Sequence, residues 1–245
     1  MKRLYLIRHA TALPRDNQVP DFERSLVPKG AKEAKKIARR IGKNGQLEGV
    51  LISSPANRAL ETAHIFAKAW DYPVQKIILK QELYDFGGAK EFLPLIQSFD
   101  ESWETVVMFG HDPAISELAQ TLAKGFQEVM PKAGAVGISW NAESWKQITP
   151  ESGRLILLEF PKAGYAPEKL RKSARKELAA ALSDGVGALL AEIDSDGASG
   201  IRKRIRKSCQ QVATSFLNKA KNQDVVLSYW LRSRQKDSAK VDQKE

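Results

Sequence analysis

Two of the chain's three histidines stand directly after apolar runs. His9 follows Leu4-Tyr5-Leu6-Ile7-Arg8, and His111 follows Val106-Val107-Met108-Phe109-Gly110. A third apolar run ends in Ser53-Ser54-Pro55, with Arg58 shortly beyond it. These residue types define a chemistry. Two guanidiniums, Arg8 and Arg58, can clamp a dianion through planar, charge-assisted hydrogen bonds, which is what phosphate recognition requires. A neutral imidazole is a nucleophile able to carry a covalent intermediate. A second imidazole can donate to the oxygens of a transferring group. Such a set suits phosphoryl transfer onto His9 followed by attack of water. The arginines supply the positive charge, so no metal and no other cofactor is called for, and no carboxylate cluster of the kind that holds magnesium is evident.

Simpler readings exist for each residue taken singly. One histidine at a strand end is often just a hydrogen-bonding residue. Both together with Arg8 and Arg58 are not readily explained that way. Ser53 and Ser54 invite a serine-nucleophile reading, but no G-x-S-x-G elbow surrounds them, and Ser54 reads as the turn into the Arg58 helix. His64 lies inside a helical pattern and reads as structural. Trp70, Trp103, Trp140 and Trp145 read as core or edge packing.

For the histidines and arginines to meet, the runs that carry them must be neighbouring strands. LYLI (4–7), GVLISS (49–54), VQKIIL (74–79) and TVVMFG (105–110) alternate with helical patterns near 30–43, 57–70, 89–98 and 113–123. That alternation predicts a mostly parallel sheet with helices on both faces, in which ligands bind outside the carboxyl ends of the strands. AVGISW (135–140) and RLILLEF (154–160) read as an antiparallel pair added at the sheet edge. After PKAGYAP (161–167) helical patterns dominate: EKLRKSARKELAAAL, IRKRIRKSCQQVATSFLNKA and DVVLSYWLRSR. DSDGASG (194–200) reads as a turn with a helix starting at Ser199. The last ten or so residues, KDSAKVDQKE, are polar enough to stay disordered.

LIRHA, SSPANRALETA and GHDP resemble the three signature segments of the histidine phosphatase (phosphoglycerate-mutase-like) superfamily. DFERSLVPKG (21–30) is similar to its D-x-x-R-x-L-T-x-x-G segment, with Val27 where threonine is usual. RHA, the early D-x-x-R-x-L segment, GHDPAISELA and the SW…SGRLILLEF ending look most like the SixA-type phosphohistidine phosphatases. The resemblance covers about residues 1–162. It implies a phosphoglycerate-mutase-like three-layer α/β/α sandwich, with His9 as the phosphorylated nucleophile and Arg8, Arg58 and His111 forming the phosphate pocket. Arg24 falls on the arginine of the D-x-x-R-x-L segment, where it either supports the pocket or packs a loop. Many superfamily members place a proton donor in an L-x-E segment. Leu83-Tyr84-Asp85 makes Asp85 the matching candidate here, and SixA-type members often lack a convincing acid at this point.

The division is then a histidine phosphatase domain over 1–162 and a basic α-helical extension over 163–245. The extension holds seven of the chain's ten excess positive charges, with a dense run at Arg202, Lys203, Arg204, Arg206 and Lys207. It is a candidate for polyanion contact, against the plainer reading of a solvated helical face. Oligomeric state is open. One cysteine, Cys209, excludes an internal disulfide framework. No apolar run is long enough for a membrane span, and the short apolar N-terminus lacks the shape of a signal peptide. The expected setting is therefore cytoplasmic, with no membrane partner.

The expected function is a metal-independent phosphatase removing phosphate from phosphohistidine in a signalling or phosphotransfer protein. The alternatives are a small-molecule phosphomonoesterase of the same superfamily and a non-catalytic polyanion-binding module. The short stretch between the third and fourth strands suggests an open, shallow site, which suits a protein-borne phosphohistidine.

Overall fold

A computed structural model describes residues 1–15, 19–42, 49–85, 87–161 and 168–219. It divides into two compact units, Met1–Ala163 and Gly164–Glu245.

In the first unit the strands are β1 (Lys2–Arg8), β2 (Val50–Ser53), β3 (Ile78–Leu79), β4 (Thr105–Gly110), β5 (Ala135–Trp140) and β6 (Arg154–Glu159). They form one sheet in the order β3-β2-β4-β1-β5-β6. The first four are mutually parallel, and β5 and β6 continue the sheet antiparallel. The helices are α1 (Pro28–Gly42), α2 (Asn57–Ala69), the single turn α3 (Glu82–Asp85), α4 (Ala89–Gln97) and α5 (Ala114–Leu122).

The period of two in the strands sorts the core into two faces. Ile7, Leu51, Val107, Phe109 and Ala135 pack with Ala34, Ile37 and Ile41 of α1 and with Ala63, Phe66 and Trp70 at α2. Leu4, Leu6, Ile52, Val106 and Met108 alternate to the opposite side and are fully buried. α4 and α5 pack on each other, and α5 packs on β1. The result is a three-layer α/β/α sandwich.

The central strands β1 and β4 are side by side, although β2 and β3 come between them in the chain. Their onward connections leave in opposite directions: β1 leads to β2 beyond β4, and β4 leads to β5 beyond β1. That reversal opens a crevice at the carboxyl ends of the two strands, where ligands bind in open α/β sheets.

The third strand is shorter than the apolar run suggested. Val74–Lys76 forms a 3-10 turn, and the strand is confined to Ile78–Leu79. Pro73 opens that turn, its carbonyl accepting from the Lys76 N–H at 2.9 Å, and β3 has β2 as its one neighbour at the sheet edge.

The second unit contains α6 (Glu168–Ile193) and α7 (Ser195–Lys219), which pack against each other. α7 begins four residues before the expected start at Ser199. Asp194 breaks the chain between the helices, and its carbonyl accepts the Ala198 N–H at 3.0 Å. Arg202, Lys203, Arg204, Arg206 and Lys207 are all exposed on α7. The helical pattern over 224–234 and the polar tail lie outside the described residues. Among the described residues no helix is long and apolar enough to cross a membrane.

Candidate active site

Register brings the two histidines together. Arg8 is paired with Gly110 across the parallel β1–β4 ladder, so the residues that follow, His9 and His111, leave adjacent strands at the same level. Their ring centroids are 5.1 Å apart, tilted by 54°. Ser53 pairs with Phe109 on the other flank of β4, which sets Ser54 beside His111. The Ser54 Oγ lies 2.8 Å from His111 Nε2. Both histidines line a pocket of about 730 Å³, whose lining also includes Arg8, Arg24, Arg58 and Asp85.

His9 is 8% exposed. Its Nδ1 lies 2.7 Å from the Ala10 carbonyl oxygen. A carbonyl can only accept, so Nδ1 carries the proton and Nε2 keeps a free lone pair. Burial pushes the His9 imidazole down to about 4; the Ala10 bond opposes that fall, while the charges of Arg58, Arg8 and Lys132 deepen it. Burial and then the charge of Arg58 bring His111 to about 3. Both rings are therefore neutral near pH 7, as a nucleophile must be.

The two arginines are held differently. Arg8 donates from Nη1 to the Met130 carbonyl at 2.6 Å, and the same nitrogen is 3.6 Å from Asp112 Oδ2. Asp112 in turn accepts from the Ser116 hydroxyl, and the Met130 N–H donates to Ser116 Oγ at 2.9 Å. Arg58 donates from Nη1 to the Asp21 carbonyl at 2.5 Å and from Nη2 to Asp21 Oδ2 at 2.9 Å. Arg8 Nε, Arg58 Nε and His111 Nδ1 are buried and have no hydrogen-bond partner among the described residues. Buried polar atoms without a partner are costly, and a tetrahedral oxyanion offers acceptors to the two guanidinium N–H groups.

Asp21 was not singled out in the sequence, yet it is the hub of the arginine arrangement. Besides Arg58 it takes Arg15 Nε at 2.7 Å and Arg24 at 2.7 Å from Nη2 and 3.1 Å from Nε. Partial burial would raise its carboxyl, but the bonds to Arg15 and Arg24 and the charge of Arg58 outweigh that and hold it well below the usual carboxylate range. Arg24 also donates to the Leu13 carbonyl at 2.6 Å. It thus lines the pocket while tying together the two segments that border it. A signal for Asp21 was present, since it opens the D-x-x-R-x-L segment, but its partner Arg58 is 37 residues away.

α2 acts as the clamp. Asn57 Nδ2 donates to the Glu23 carbonyl at 2.8 Å, and Glu61 Oε2 accepts the Leu26 N–H at 2.7 Å. Thr62 Oγ1 donates to the Arg58 carbonyl at 2.7 Å and accepts the Ala10 N–H at 3.0 Å, joining the helix to the loop after His9. The R-A-x-x-T-A spacing is explained by that bridge, together with the fully buried Ala59 and Ala63. Gly30 is required for a different reason. A Cβ there would sit 2.1 Å from the Thr11 carbonyl oxygen, so only glycine lets α1 approach the same loop.

Tyr84 forms a wall of the pocket. Its ring stands edge-on to His111 at 5.6 Å and lies 5.9 Å from the Arg58 guanidinium carbon, and its hydroxyl is 3.3 Å from Asp21 Oδ2. Asp85, the candidate acid, lines the pocket but is exposed, and its Oδ1 accepts from Gln81 Nε2 at 3.0 Å.

Residues 4–90 match the model of the histidine phosphatase superfamily, branch 1. A Picosynechococcus protein of uncharacterised activity is 32% identical over 164 residues, which is 65% of this chain and 96% of that one. The chain belongs to the histidine phosphatase superfamily. Among solved members of that fold, the SixA protein from Agrobacterium tumefaciens is 24% identical, with a TM-score of 0.53 over 64% of this chain and 97% of that one. A protein histidine phosphatase SixA complexed with tungstate is 20% identical, with a TM-score of 0.54 over 65% of this chain and 97% of that one. These two likenesses concern the fold.

Proposed function

We propose that this histidine phosphatase superfamily member removes phosphate from phosphohistidine borne by a protein, through a phosphoenzyme formed on His9. The observation that carries the reading is the pairing of His9 and His111 at 5.1 Å beside buried Arg58 and half-buried Arg8, with His9 Nδ1 bonded to the Ala10 carbonyl. The Nε2 lone pair of His9 attacks phosphorus as the bond from phosphorus to the substrate nitrogen breaks. The departing imidazole leaves as a neutral base once its second nitrogen has taken a proton from solvent. His9 keeps its Nδ1 proton, so the phosphorylated ring is cationic, and the Ala10 carbonyl oxygen faces that charge. Water then attacks phosphorus, the bond to Nε2 breaks, and the proton of water leaves with inorganic phosphate. Arg8, Arg58 and His111 stabilise the charge on the phosphoryl oxygens throughout.

The preference for phosphohistidine over an ester rests on the carboxylates. Asp21 is engaged by arginines, Asp112 by Arg8 and Ser116, and exposed Asp85 by Gln81. An alkoxide needs a proton donor to leave; a protonated imidazole needs far less help.

The test is to assay the purified protein against a phosphohistidine protein and a panel of phosphate esters, and to trap the phosphoenzyme. The reading expects an acid-labile phosphoryl group on His9, lost in His9→Asn, and faster turnover of the phosphohistidine protein than of alkyl phosphates. Turnover of alkyl phosphates at an equal or greater rate would make it a phosphomonoesterase. Ligand binding with no turnover would leave a polyanion-binding module.

A further inference from the structure

Ser54 is fully buried at the end of β2, and its hydroxyl has two neighbours. The Ala56 N–H donates to it at 3.3 Å, and His111 Nε2 lies at 2.8 Å. A serine hydroxyl carries one proton to donate. The Ala56 contact uses an oxygen lone pair, so among the described residues His111 Nε2 is the acceptor available to that proton. The opposite assignment, with Nε2–H donating to Oγ, leaves a buried O–H without an acceptor. It also leaves a bare lone pair on His111 Nδ1, in a pocket expected to take an anion.

We infer that Ser54 is a positioning residue: its hydroxyl donates to His111 Nε2, fixes the Nδ1–H tautomer, and so turns His111 Nδ1 into a hydrogen-bond donor to the phosphoryl group. This rests on the reading of the pocket as a phosphoryl-transfer site. His111 Nδ1 is the one ring nitrogen of the residue left without a partner, and it is buried. A neutral imidazole has a single N–H, and the bond made by one nitrogen decides where that proton sits. Without Ser54 the proton is free to occupy Nε2, and a donor to the transition state becomes a lone pair that repels it. His9 has the same Nδ1–H arrangement, set by the Ala10 carbonyl instead. One ring is thereby made a nucleophile at Nε2 and the other a donor at Nδ1.

The experiment compares wild type, Ser54→Ala, Ser54→Thr and Ser53→Ala. Ser53 is equally buried, and its hydroxyl donates to the Ser54 carbonyl at 2.8 Å, so its loss controls for a merely structural effect. Long-range 1H–15N spectra of the imidazoles should show His111 as the Nδ1–H tautomer in wild type and in Ser53→Ala, with Nε2–H populated in Ser54→Ala. With p-nitrophenyl phosphate, Ser54→Ala should lower kcat about 10- to 100-fold, less than the roughly 100- to 1000-fold lost when an oriented donor is removed outright, because Ser54 acts through His111. KM should move less than about threefold. Ser53→Ala should stay within about twofold, and Ser54→Thr, which retains the hydroxyl, should recover part of the rate. An Nε2–H tautomer at His111 in wild type, or a kcat of Ser54→Ala within about twofold of wild type, overturns the inference. If wild type turns over neither p-nitrophenyl phosphate nor a phosphohistidine protein, the proposed function fails, while the spectra still decide the tautomer.

Discussion

The acid stability of this protein should report directly on whether His9, the proposed nucleophile, is held neutral. His9 titrates near 6.5 when unfolded and near 4 in place, so between those values the unfolded chain binds a proton that the folded one refuses. Its contribution to stability is fully present above 6.5 and is lost as the pH falls towards 4. By proton linkage, lowering the pH from 7 to 5 removes about 2 kcal/mol at this one residue. His111, brought to about 3, removes a similar amount over the same interval. The two together take about 4 kcal/mol from a total that for a domain is on the order of 5–15 kcal/mol. Aspartates and glutamates with ordinary values barely titrate in this window.

His9→Asn isolates the first share, because an asparagine amide can still donate to the Ala10 carbonyl while carrying no titratable group. Urea unfolding, followed by emission of the buried Trp70, Trp140 and Trp145, should be run at pH 7 and pH 5 for both proteins. Wild type should lose about 2 kcal/mol more than His9→Asn, near 1 M in midpoint at a typical slope. Parallel losses in the two proteins would mean that His9 titrates like a solvated imidazole, and the account of its neutrality would fall.

Three further outcomes follow from the same geometry. Asp21→Asn leaves Arg58, whose side chain is 5% exposed, without its counter-charge; it should cost about 2 kcal/mol, lower Tm by about 6 °C and cut kcat about tenfold, as read by calorimetry and steady-state kinetics. Thr62→Val strands the Ala10 N–H and should cost about 1–3 kcal/mol in chemical denaturation, with kcat reduced because the loop after His9 loses its tie. Asp85→Asn should leave turnover of a phosphohistidine protein within about twofold; a loss of a hundredfold or more would make Asp85 the proton donor.

The residues proposed to do the chemistry were legible because each is marked locally. Arg8-His9 and Gly110-His111 end apolar runs, and Arg58 opens a helix after another such run. The network that orients them was not legible, because its bonds span the chain. Arg58 is held from Asp21, 37 residues earlier, and Arg8 by the Met130 carbonyl, 122 residues later. Backbone carbonyls carry no sequence signal at all. Ser54 reads as a turn residue, and its Ala56 contact agrees with that. Its second role became visible only when the β2–β4 register set it against His111.

Sequence by itself determined which side chains end the strands and the period-two pattern that buries those strands. These are properties of the chain over a few residues, set by side-chain chemistry and backbone geometry. The tertiary structure alone decided that β1 lies beside β4, which nitrogen of each imidazole faces its fixed partner, and that a single aspartate gathers three arginines. Those outcomes depend on strand order and register, which arise from the packing of the whole sheet and its helices, and no stretch of sequence carries them.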